Sequence, residues 1–264
     1  MKQRIISAIV ALIVVIPIMI IGGYAYYIGV GILSIIGYYE MLKVRQREKT
    51  IDKSVLFLTL ISYLFIVLSA CKKGSSFNID YRLIILNLFV CYIPLIVFKK
   101  KQYDAEDAIV LFAFSVFLGL GFNYLIIIRK MDILYLVYVM LATFMSDTFA
   151  HFFGTQIGKH KLCPQISPNK TVEGMIGGVF FGTFISTMFF ITFINELVNV
   201  YLVIVISLTL SLAAEFGDLV FSSIKRKYGV KDYGNIMPGH GGVLDRLDSL
   251  FFALLAFSFL VSFF

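Results

Sequence analysis

Between Ser222 and Asp248 the chain reads SSIKRKYGVKDYGNIMPGHGGVLDRLD. Lys225, Arg226, Lys227, Lys231 and Arg246 supply positive charge, Asp232, Asp245 and Asp248 supply carboxylates, and Pro238-Gly239-His240-Gly241-Gly242 supplies a backbone free to turn. Cations and successive backbone N–H groups receive phosphate, and carboxylates hold the divalent ion that accompanies it. Apolar runs precede and follow the segment. A phosphate-handling, metal-binding site at a membrane surface is therefore expected.

Further carboxylates point the same way. Asp147, Glu215 and Asp218 lie within or near the ends of apolar runs, where a charged side chain costs about 2.5–3.5 kcal/mol on insertion scales. Glu215 and Asp218 are three residues apart and share a helix face, and Asp245 and Asp248 repeat the spacing. Two uses fit such pairs: structural ion pairs, or oxygen ligands converging on a hard cation such as Mg2+. A helix starting near Val243–Asp245 would add its N-terminus to phosphate binding. His240 has three readings: a phosphate ligand, a general acid, or a turn cap. Lys225, Arg226 and Lys227 serve either as phosphate contacts or as a basic anchor with snorkelling stems. Lys231 and Arg246 sit beside Asp232 and Asp245, as ion pairs, phosphate contacts or both.

A second polar stretch runs from Gly154 to Gly174 and contains Ser167, Asn169, Lys170, Thr171 and Glu173. Pro164 and Pro168 forbid a continuous helix there. Taken alone, these residues say only that a polar loop joins two helices. Gly174, Gly177, Gly178 and Gly182 then open the next apolar run, a small-residue pattern that favours close helix packing.

The elements that must position these groups are membrane helices. The chain has 264 residues, 59% hydrophobic and 15% charged, with a mean hydropathy of +0.91, against about 25% charged in soluble domains. The apolar runs are continuous rather than alternating, which selects helices over a barrel. An all-α polytopic bundle of about nine transmembrane helices is expected, over residues 5–22, 24–42, 54–70, 83–98, 107–128, 133–153, 172–194, 198–221 and 247–263. It reads as one membrane domain, 1–264, with N-terminal helices over 1–132 and the site-bearing helices and loops over 133–264. The N-terminal run reads as an uncleaved first helix, being longer than a signal-peptide core. Cys71, Cys91 and Cys163 are scattered and form no metal or disulfide pattern.

Charge orients the bundle. With the N-terminus in the cytoplasm, only Lys72, Lys73, Arg82, Arg129 and Lys130 of the 23 Lys and Arg fall outside. That is a strong positive-inside bias, and it places both polar loops in the cytoplasm, where nucleotides are. It also accounts for the net charge of +7 without nucleic acid.

The order Ser222-x-Ile224-Lys225-Arg226-x4-Lys231-Asp232-x-Gly234-x2-Met237-Pro238-x-His240-Gly241-Gly242-Val243-x-Asp245-Arg246-Leu247-Asp248 resembles the signature of the phosphatidate cytidylyltransferases, or CDP-diacylglycerol synthases. Ser146-Asp147-Thr148 with Gly154, and Ser167-Pro168-Asn169-Lys170-Thr171-x-Glu173-Gly174, resemble that family's second characteristic region. The likeness covers the C-terminal half in motif form; the N-terminal half matches only as apolar helices. Met237 stands where Leu, Ile or Phe is usual, Asn169 where Lys is common, and Val172 where Trp is common.

The resemblance implies a nucleotidyltransferase that converts CTP and phosphatidate to CDP-diacylglycerol and pyrophosphate with Mg2+; a second, monovalent cation is left open. It implies a multi-pass cytoplasmic-membrane protein, a homodimer, with the site facing the cytoplasm. On that basis Asp218, Asp245 and Asp147 are expected to hold the metal, with Asp248 as ligand or support. Lys225, Arg226, Lys231 and Arg246 would contact phosphates, His240, Gly241 and Gly242 would cradle them, and Ser167, Asn169 and Lys170 would close the site. The rivals are a CTP-dependent lipid-alcohol kinase, which would release CDP, and a transporter, which would spread polar residues over both membrane faces.

Overall fold

The computed structural model describes residues 13–71, 85–86, 89, 92–93, 95–97, 103–194, 198–236 and 241–261. Among them, helices run over α1 (Gly23–Arg45), α2 (Lys53–Ser69), α3 (Ala105–Met131), α4 (Ile133–Gln156), α5 (Val172–Phe193), α6 (Val200–Lys227) and α7 (Leu244–Val261), with residues 13–21 helical ahead of α1. Seven of the expected spans coincide with these helices within a few residues, α6 running furthest past its expected end. The start of the first span and most of 83–98 lie outside the described residues.

Among the described residues five helices, α1 and α3 to α6, are long and apolar enough to cross a membrane, and the chain is a multi-pass membrane protein. Their starts carry local signals. Asp132 accepts the N–H of Leu134, Thr171 that of Gly174, and Asn199 that of Tyr201, each satisfying a donor that the first helical turn cannot. At 28 residues, α6 is about 42 Å long against a hydrocarbon core of about 30 Å. Its polar C-terminal end from Asp218 onward therefore has length to spare beyond the apolar part. It closes with Gly229 at φ 63°, Val230 N–H donating to Lys225 O and Gly229 N–H to Arg226 O, the left-handed helix stop that glycine favours.

One departure from an all-α fold is a hairpin of β1 (Lys161–Cys163) and β2 (Ser167–Thr171), antiparallel, with Lys161 opposite Thr171 and Cys163 opposite Ser167. Pro168 is tolerated because a two-stranded sheet leaves an edge on which its missing N–H costs nothing.

The described chain forms two compact units, Met1–Ile127 with Tyr233–Leu244, and Ile128–Asp232 with Asp245–Phe264. In the first, the rings of Tyr38 and Tyr63 stack 4.6 Å apart, Tyr63 donates to Ser34 O, and Asn123 Nδ2 donates to Ile66 O at 2.7 Å. Buried Arg45 and Asp107 pair at 2.6 Å, and Lys49 bridges Asp104 and Asp107 at 2.6 and 2.8 Å. The Lys49 hydrogen bond holds the Asp104 carboxyl down to about 2.

In the second unit α4, α5 and α6 pack on one another. Gly174, Gly178 and Gly182 recur every four residues on the buried face of α5, while Ile176, Phe180, Phe184 and Met188 recur on its exposed face. The helix is apolar all round but sorted by size: small residues admit α4, large ones stand outward as lipid-facing residues do. A Cβ at Gly178 would lie 2.6 Å from Ser146 O.

Candidate active site

The four helices α4, α5 (through Met175), α6 and α7 and the hairpin of the second unit line a cavity of about 680 Å³, within the range of small-ligand sites. α4 presents Asp147, Ala150, His151, Gly154 and Thr155, one helix face read at steps of three and four. β2 and its end bring Asn169, Lys170 and Thr171, α6 brings Glu215, Asp218 and Lys225, and α7 brings Asp245, Arg246 and Asp248.

Charge is arranged in pairs. Lys170 Nζ lies 2.9 Å from Glu215 Oε2 and 2.8 Å from Asp218 Oδ2. Glu215 is 1% exposed and its other oxygen accepts from Ser146 Oγ at 3.1 Å. Burial pulls the Lys170 ammonium down, but the Glu215 and Asp218 carboxylates outweigh it and hold it above the usual lysine value. Lys225 Nζ lies 2.9 Å from Asp245 Oδ1, both side chains nearly buried. Ser222 Oγ donates to Asp218 Oδ1 at 3.3 Å, and Ser249 N–H to Asp248 Oδ1 at 2.8 Å. The cavity wall carries six carboxylates (Asp147, Glu215, Asp218, Asp232, Asp245, Asp248) and four fixed cations (Lys161, Lys170, Lys225, Arg246). Such a wall suits a ligand bearing several phosphates together with a divalent cation.

A sequence model of the Cytidylyltransferase family matches residues 2–264. The chain belongs to the Cytidylyltransferase family. It is 35% identical over 254 residues to the phosphatidate cytidylyltransferase of Staphylococcus haemolyticus (strain JCSC1435), covering 96% of each chain. It is 36% identical, with the same coverage, to that of Staphylococcus aureus (strain COL). Against the phosphatidate cytidylyltransferase of Bacillus subtilis (strain 168) it is 33% identical over 267 residues, which is 100% of this chain and 98% of the relative.

Within this family member the cavity gathers Asp147, Asn169, Lys170, Asp218, Lys225, Asp245, Arg246 and Asp248 of the residues singled out from sequence. Ser167 and Lys231 do not line it. Arg226 braces the surrounding loops instead, Nε donating to Ile166 O and Nη1 to Val230 O, each at 3.2 Å. His240 lies outside the described residues. Lys161 and His151 line the cavity without having been singled out; the available signal for His151 was its position four residues after Asp147 on the same helix face.

Among the described residues no three His, Cys, Asp or Glu side chains converge closely enough to hold a metal by themselves. Lys170 stands against Asp218 and Lys225 against Asp245. This donor set still fits Mg2+, which keeps one or two carboxylates and takes its other ligands from water and substrate phosphate rather than from an all-protein cage.

Gly241 and Gly242 belong to the first unit, as part of Tyr233–Leu244. There a residue outside the recognised motifs meets Gly242. The Glu40 carboxylate, on α1, accepts the N–H of Val243 through Oε1 and of Leu244 through Oε2, each at 3.0 Å. These donors at the start of α7, which the sequence offers to a phosphate, are taken by a side chain of the protein itself.

Proposed function

We propose that this chain transfers the cytidylyl group of CTP to phosphatidate, releasing pyrophosphate and leaving CDP-diacylglycerol in the membrane. The observation that carries the reading is the convergence of two motifs far apart in sequence, Asp147 with Asn169-Lys170-Thr171, and Asp218 to Lys225 with Asp245 to Asp248, on one cavity. The relatives bearing the name phosphatidate cytidylyltransferase support it over nearly the full chain.

A phosphomonoester with a second pKa of about 6 is already mostly a dianion at neutral pH. Its oxygen attacks the α-phosphorus of CTP, the new P–O bond forms, and the bond to the β-phosphate oxygen breaks. No strong base is needed, so the protein's work is positioning and charge neutralisation. Lys170, Lys225 and Arg246 supply positive charge beside the phosphates, and the carboxylate partners of Lys170 and Lys225 hold those two ammonium groups in fixed places. Asp218, Asp245 and Asp147, supported by Asp248, would hold Mg2+, which when bound polarises phosphoryl oxygens and eases departure of pyrophosphate. His240 and Gly241 contribute to phosphate binding on the strength of the family signature.

The distribution of Lys and Arg supports a cytoplasmic N-terminus and a cavity opening to the cytoplasm, and family likeness supports a homodimer in the cytoplasmic membrane. The test uses purified protein in phosphatidate-containing micelles with Mg2+ and α-labelled CTP. Label entering lipid only when phosphatidate and Mg2+ are both present, with pyrophosphate released, is the expected result. CDP release without labelled lipid would replace the reading with a kinase, and neither signal from folded protein would replace it with a transporter.

A further inference from the structure

We propose that Glu40 is the positioning residue of the signature segment: its carboxylate fixes Gly234, Gly242 and the start of α7, the helix whose first turns carry Asp245 and Asp248. The inference rests on the reaction proposed above, because that reaction gives the two aspartates their roles.

Glu40 is 3% exposed. A buried carboxylate is costly unless hydrogen-bonded, and here each oxygen accepts a backbone N–H, from Val243 and from Leu244. The acceptor lies 203 and 204 residues away from its donors, so this is a long-range tie and not a local cap. Negative charge is also favoured at a helix start by the backbone dipoles.

The glycines add an independent observation. A Cβ built at Gly234 or at Gly242 would run into the Glu40 carboxylate. Gly234 and Gly242 thus lack side chains where one carboxylate sits. Backbone donors, and glycines cleared to admit it, mean that Glu40 fixes the course of the chain leading into α7. Glu40 acts on the reaction through the aspartates that α7 carries.

The test compares wild type, E40Q, E40A, G234A, E40A/G234A and D107N in phosphatidate micelles, by steady-state kinetics and by amide hydrogen exchange across residues 233–250. E40Q is expected to lower kcat about tenfold or more while KM for CTP stays within about threefold, and to speed exchange in 233–250 about tenfold. D107N, which breaks the buried Arg45 pair in the same unit, lowers the melting temperature but leaves kcat and that exchange unchanged. G234A behaves like E40Q, and E40A/G234A is no worse than E40A, since the methyl group enters space the carboxylate has left. Wild-type kcat and exchange in E40Q would overturn the proposal, as would a harmless G234A or a D107N that reproduces every effect of E40Q. If wild type made no CDP-diacylglycerol, the proposed reaction would fall, while exchange and the G234A pattern would still decide what Glu40 holds.

Discussion

Lys170, at the end of the hairpin, sets its ammonium 2.9 Å from the buried Glu215 carboxylate of α6. The polar loop between α4 and α5 is thereby tied to a membrane helix through a charge that has little water of its own. Glu215 is held from two sides, by Lys170 and by Ser146.

Removing that ammonium should be felt in stability as well as activity. K170M leaves Glu215 buried and uncompensated, a class of change that costs about 3–5 kcal/mol. A clear drop in melting temperature in micelles, together with a loss of turnover of about a hundredfold, is expected. Unchanged melting would show that Lys170 does not hold Glu215 in solution.

The pH dependence has a definite sign. Lys170 has its pKa raised in the folded protein, so its contribution is fully present below the ordinary lysine value of about 10.4 and is lost only as pH rises through the higher folded value. Wild type and K170R should therefore share the same pH–rate profile up to about pH 10. A falling limb present in wild type and absent from K170R would show Lys170 deprotonating within that range.

D245N keeps the shape of a side chain that pairs with Lys225 at 2.9 Å but removes its charge. Turnover should fall about a thousandfold or more while the protein still purifies as a folded species by size exclusion. Wild-type turnover would remove Asp245 from the metal and phosphate chemistry.

In the N-terminal unit, D107N strips buried Arg45 and Lys49 of a shared partner. A loss of about 3 kcal/mol is expected, read as a lower melting temperature with kcat of the folded fraction intact.

G178A tests the helix contact that brings the hairpin's two flanking helices together. Its new methyl group would meet Ser146 O and Ala150, an overpacking worth about 1–3 kcal/mol, measured by thermal unfolding. Tolerance without loss would mean that α4 and α5 can separate freely.

The membrane helices were legible because continuous apolar runs bounded by polar residues leave no other backbone arrangement in lipid. Expected spans such as 133–153 and 172–194 match Ile133–Gln156 and Val172–Phe193 closely. Asp147, Asp218, Asp245 and Asp248 were legible because a carboxylate in or beside an apolar run needs a reason. The hairpin was not, since residues 161–171 lack alternating polarity and the Asn-Gly or Asp-Gly pair of a two-residue hairpin; Pro164, second residue of the turn closed by Ile166 N–H to Cys163 O, signals a turn but not the strands beside it. The pairing of Lys170 with Glu215 and of Lys225 with Asp245 depends on tertiary approach that no spacing encodes. Glu40 was hidden for the same reason: one acid near the end of an apolar run, with donors at the far end of the chain.

The tie from Glu40 to Gly234, Gly242 and the start of α7 also bears on how such chains can recombine. A hybrid that took residues 1–127 from this protein and the remainder from a relative would separate one side chain from the two clearings that receive it. Positions 40, 234 and 242 would have to be inherited as a set, even though they sit in opposite halves of the gene product. A chimera with a bulkier residue at 234 would need a smaller one at 40, and the exchangeable blocks of this enzyme are therefore drawn by that contact rather than by the order of its helices.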